Sequence, residues 1–180
     1  MKPRTLLLAL AFAPLAVPAL AADMPYAGQQ ARAIKSLSDD DIAALRKGEG
    51  MGMAKAAELN GYPGPAHLLE LAGQLGLTEI QQRDVQAIFD RMSTAAKPLG
   101  RELIAQEQAL DQLFAKGEIT PDRLAAATTA IAELQGRLRA VHLSAHLETR
   151  ALLNAEQIAR YQQLRGYSDL PAPEHHHHHG

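Results

Sequence analysis

Residues 77–121 read LTEIQQRDVQAIFDRMSTAAKPLGRELIAQEQALDQLFAKGEITP, and this stretch decides the fold. The Thr78 hydroxyl is placed to accept from the Gln81 amide, and the Gln81 side chain to accept from the Thr78 backbone N–H. That reciprocal capping box opens a helix near Glu79. From there the apolar residues keep a seven-residue repeat. Val85, Met92, Leu99 and Leu113 form one series, and Phe89, Ala96, Leu103 and Leu110 the other. Pro98 lies inside this seam and is expected to bend the helix, because it lacks a backbone N–H. Gln106 takes a seam position where a polar group can hold register.

A seam of this length needs a partner, and the next stretch supplies one. Gly117 breaks the pattern, Thr120 can cap, and Pro121 fits a first helical turn. Leu124, Ile131, Leu138, Ala145 and Leu152 then form one heptad series, with Ala127, Leu134 and Val141 in the other. The spacing predicts two mutually packed antiparallel helices of about 50 Å each. Asn154 with Gln157 repeats the capping chemistry and opens a last helix, which ends near Arg165 before Gly166.

Upstream, Ser38 with Asp41 starts a short helix to about Lys47, and Gly48, Gly50 and Gly52 loosen the chain. A second short helix is expected from Met53 to Leu59, stopped by Asn60-Gly61, Pro63 and Pro65, and a third from Pro65 to Leu75, ended by Gly76. The resulting division is residues 22–64 as a flexible leader with short helices, 65–167 as an all-α domain built on a long antiparallel hairpin, and 168–180 as a disordered His-rich tail.

The first 21 residues read as a signal peptide. Lys2 and Arg4 precede an apolar run from Leu6 to Val17, and Ala19-Leu20-Ala21 offers the small residues of a cleavage site after Ala21. The run is about a dozen residues and contains Pro14, short of the roughly 20 a membrane span needs. A secreted, periplasmic protein without stable membrane insertion is expected. A net charge of −2 argues against nucleic acid as a partner, since phosphate binding needs a basic face. The absence of cysteine removes disulfides, thiolate metal sites and cysteine nucleophiles.

The segments Leu77-Thr78-Glu79-Ile80-Gln81 and Leu153-Asn154-Ala155-Glu156-Gln157 resemble the paired LTxxQ motifs of the Spy/CpxP family of periplasmic proteins. In the second copy Asn154 stands for Thr and preserves the cap. The resemblance covers roughly Pro65 to Tyr167, and Leu77, Thr78, Gln81, Leu153, Asn154 and Gln157 carry it. It implies a curved, antiparallel homodimer that binds unfolded or stress-damaged periplasmic proteins without ATP, or a related heavy-metal resistance or sensing protein. An inner-membrane signalling partner is part of that implication. The nearly balanced charge between Glu79 and Arg165 counts against the chaperone branch, because a positive surface helps attract unfolded clients; Arg137, Arg139, Arg150, Arg160 and Arg165 can still supply local positive character.

His142 and His146 form the main chemical constellation. Four residues apart on a helix, their imidazoles leave adjacent turns of one face and can grip one Zn, Ni, Cu or Co ion. Their heptad positions lie beside the seam, where they are expected to stay accessible to solvent or to a dimer partner. Two ligands do not complete a site, and His67, Glu148 or symmetry mates are the candidates for a third. Met51 and Met53 could offer thioethers to a softer ion, or serve only as core. His175, His176, His177, His178 and His179 are either a native chelating tail or the remainder of a purification tag.

No enzyme is expected and no cofactor is required. The Gly48 to Gly52 cluster follows no strand, and the interval between His142 and His146 is Leu-Ser-Ala, without the Glu that a zinc hydrolase uses as base.

Overall fold

The computed structural model describes residues 26–168. The described residues fall into two units, 26–31 and 32–168. Of the first, the described part is a bend leading into a 3-10 turn, Gln29–Ala31. The signal-peptide reading and the five tail histidines lie outside the described residues.

The second unit is helical, with no strand among the described residues. Its elements are α1 (Asp39–Lys47), α2 (Lys55–Glu58), α3 (Pro65–Glu70), α4 (Glu79–Ala115), α5 (Pro121–Ala151) and α6 (Ala155–Leu164). The cap chemistry places most of these starts. Ser38, Thr78 and Asn154 each close a full capping box with Asp41, Gln81 and Gln157, and the Thr120 hydroxyl accepts from the Arg123 amide. Helix α2 is shorter than expected, and α3 gives way to turns after Glu70 instead of running to Leu75. Helix α4 is continuous through Pro98.

The long hairpin α4–α5 is the frame, at about 55 and 46 Å by helical rise. The expected seam is buried in its middle: Ala96, Leu99 and Leu103 on α4 meet Ile131, Leu134 and Leu138 on α5. Toward the tip it opens to water, with Leu124 40% and Phe114 56% exposed. A second cluster at the opposite end gathers Leu68, Leu75, Leu77, Val85, Leu153, Ile158 and Tyr161.

Residues 32–64 are not a loose leader. Ile34 and Leu45 are buried in the central cluster, and α1 packs on α4 while α2 reaches α5. The contact explains Gly100, which the heptad pattern passes over. A Cβ at that position would overlap the Leu45 carbonyl, so the absence of a side chain lets α1 lie directly on α4.

The two LTxxQ-like motifs meet. Gln81 Nε2 donates to Gln157 Oε1 at 3.0 Å and Gln157 Nε2 donates to Gln81 Oε1 at 3.1 Å, while Gln81 Nε2 also donates to the Leu152 carbonyl at 2.8 Å. Each glutamine thus closes its own helix cap and also bonds the other, tying the start of α4 to the start of α6.

Candidate metal site

Along α5 a polar band separates the two apolar clusters. His142, His146 and Thr149 lie between Leu138, which belongs to the central cluster, and Leu153, which belongs to the end cluster. All three are buried; His142 is 3% and His146 8% exposed. This corrects the expectation that the two histidines stay accessible beside the seam. The stretch from Gly50 to His67, read as leader and first turn, folds over that face of α5 and covers it.

Local backbone contacts hold the cover in place. The Thr149 hydroxyl hydrogen-bonds the Pro63 carbonyl at 2.5 Å. His146 Nδ1 stands 2.7 Å from the Tyr62 carbonyl. A carbonyl can only accept, so that ring nitrogen carries the hydrogen. Gly64 sits against the same ring, where a Cβ would come 2.9 Å from His146 Nε2. The close approach of this loop therefore requires glycine.

His142 is packed against Gly50, and its Nε2 is buried with no hydrogen-bond partner. Burial, followed by the proximity of His146, pushes its protonation below the usual imidazole range. A neutral imidazole with a free nitrogen is the form that ligates metal.

Glu58 completes the polar group from the other side. It is 8% exposed, and its two oxygens have different neighbours. Oε2 accepts from the Gly64 N–H at 3.1 Å and lies 3.7 Å from His146 Nδ1. Oε1 accepts from the hydroxyls of Tyr161 and Tyr167, the latter at 3.2 Å, and lies 3.4 Å from His67 Nδ1 and 3.7 Å from Arg165 Nε. Tyr161 is wholly buried, and burial first, then the bond to Glu58, holds its hydroxyl proton well above the usual range.

A cavity of about 350 Å³ opens onto this group, lined among others by Met51, Glu58, His67, Met92, His142 and His146. The structure thus brings His67 to the same cavity as the histidine pair. Glu148 is elsewhere, paired with Arg91 on the exposed side of the hairpin, and Met53 packs against the central cluster. Among the described residues no group of three or more His, Asp or Glu side chains is disposed to enclose an ion. The donors lining the cavity are three imidazoles, a carboxylate and two thioethers, a set suited to Zn, Ni, Cu or Co rather than to Mg or Ca. The unpartnered Nε2 of His142 fits such a ligand, because buried polar nitrogens are otherwise almost always bonded.

Sequence reasoning missed Glu58 and the two tyrosines. Glu58 is a single acid in Lys55-Ala-Ala-Glu58 with nothing to mark it as buried, and its tyrosine partners lie more than a hundred positions away. Met92 was read only as seam.

Helical hairpin and polar cavity together define an all-helical protein with a cavity lined by histidine, carboxylate and thioether side chains. Residues 50–160 match the heavy-metal resistance family. The chain belongs to that family, which falls within the same Spy/CpxP-like helical group that the paired motifs resemble. The matched stretch includes Glu58, His67, His142 and His146 and stops one residue before Tyr161. No curated protein and no solved structure matches the chain. Among the described residues, no helix is long and apolar enough to cross a membrane.

Proposed function

We propose that this chain is a periplasmic heavy-metal resistance or sensing protein that binds a divalent transition metal in the cavity between the Gly50–His67 cover and α5. His142 and His146 supply the imidazole nitrogens, and Glu58 and Met92, which line the same cavity, are the candidates to add oxygen or sulfur. The observation that carries this reading is the buried, unpartnered Nε2 of His142, beside a second histidine whose Nδ1 is committed to the Tyr62 carbonyl. Membership of the heavy-metal resistance family supports it. The pairing of a ligating imidazole with a backbone carbonyl is the arrangement that orients metal-binding histidines generally.

Calorimetric titration with zinc, nickel and copper tests it. The full chain is used with His175 to His179 replaced by serine, so that the tail does not contribute. Binding in the micromolar range or tighter, lost when His142→Ala and His146→Ala are combined in a protein that still melts cooperatively, is the expected result. Equal binding in the double variant removes the reading.

A second reading is ATP-independent holding of unfolded proteins by a homodimer. It is supported by the apolar side chains exposed along the hairpin, Phe114, Leu124 and Leu147. Suppression of client aggregation at equimolar ratio is the outcome it requires.

A further inference from the structure

Glu58 belongs to two sites at once. Its Oε2 faces the histidine cavity and its Oε1 faces α6 and the residues that follow it, where Tyr161 and Tyr167 donate to it. A dication held by His142 and His146 would attract this carboxylate, and the hydroxyls of Tyr161 and Tyr167 with the Arg165 guanidinium at 3.7 Å, all on Oε1, oppose the pull. Tyr161 has an alternative partner, because His67 Nδ1 is 3.4 Å from its hydroxyl and accepts in the tautomer that carries hydrogen on Nε2.

We propose that Glu58 is a shared carboxylate which a transition metal in the His142–His146 cavity draws away from Tyr161 and Tyr167, leaving Tyr161 to His67 and so reporting occupancy to α6. The inference rests on the metal reading above and goes beyond it by assigning a direction of coupling. Tyr161 acts here as a positioning residue: it holds Glu58 on the α6 side when the cavity is empty. Its removal therefore has two opposite effects. The metal-free protein loses a buried hydrogen bond, while the carboxylate becomes free to turn toward the ion.

The chain has no tryptophan and four tyrosines, so the tyrosine bands of the near-ultraviolet spectrum read the contact directly. Zinc chloride is titrated into the full chain with the five tail histidines replaced by serine. In the parent, zinc is expected to shift the tyrosine band in step with binding. In Tyr161→Phe the zinc-free protein melts lower, yet binds zinc about tenfold tighter, the scale of one hydrogen bond to a charged group, and the band shift shrinks. A purely structural tyrosine would weaken binding or leave it alone. If Tyr161→Phe does not fold, Tyr167→Phe, on the same oxygen, is expected to tighten binding in the same sense. Zinc binding that depends on His142 but leaves the tyrosine band unmoved, or affinity unchanged or weakened in these variants, overturns the coupling and leaves the metal reading intact. No zinc binding by the parent, or binding that survives His142→Ala, overturns both.

Discussion

The His142 imidazole is almost withdrawn from water, and burial followed by the neighbouring His146 sets its protonation below the usual 6.5. The titratable groups lining the cavity with it are Lys55, Glu58, His67 and His146. Because the folded form resists the proton more than the unfolded chain does, the unfolded chain binds more protons once the pH drops below about 6.5. Stability from this residue is therefore complete above that value and declines as the pH falls toward the depressed folded value. Thermal melts of the metal-free protein should show a melting temperature that is level near neutrality and falls on acidification. His142→Gln should flatten that decline; a variant with the same acid slope as the parent would assign the slope to other groups. The helical spacing of His142 and His146 made the pair legible from sequence. Their burial was not, because it depends on a loop whose glycines and prolines read only as breakers. Glu58 was illegible for the same reason: a carboxylate becomes chemically special through partners that local pattern does not reveal.

At the scale of elements, helix starts were the most legible feature, since a cap is a local hydrogen bond between residues three apart. Starts at Asp39, Glu79, Pro121 and Ala155 follow from Ser38, Thr78, Thr120 and Asn154. The heptad seam was legible in its middle and misleading toward the tip, where Leu124 follows the repeat yet is exposed. Ile88 and Ile104 are buried off the seam, since α4 receives α1 and α3 as well as α5. The bond between the two caps spans 76 positions and had no sequence signal. It predicts coupling. Gln81→Ala and Gln157→Ala should each cost about 1–2 kcal/mol in denaturant unfolding, and the double variant should cost less than the sum by about 0.5 kcal/mol or more. Strict additivity would mean the two caps act independently.

For the whole molecule, the short helices packed on the hairpin leave its tip thinly covered. A cleft of about 510 Å³ beside Lys35 and Asp111 is lined by Leu110, Phe114 and Ala115, and Phe114 is mostly in water. Covering such a tip with a second copy is the simplest remedy for a chain of this size. Sedimentation velocity at tens of micromolar should give a species of twice the chain mass, and Phe114→Glu should shift it to monomer. A parent that sediments only as monomer removes the homodimer, and with it the two-chain cradle on which the chaperone reading depends.

The reciprocal bonds between Gln81 and Gln157 also bear on which amino acids the two motifs can accept. In an ordinary capping box Glu serves as well as Gln, because the returning side chain only has to accept. Here each amide must accept with its oxygen and donate with its nitrogen. Glu at either position would set two lone-pair-bearing oxygens against each other, and at position 81 it would also repel the carbonyl of Leu152. The third letter of the motif is therefore a matter of amide chemistry rather than of helix capping, and each copy's alphabet is limited by the other.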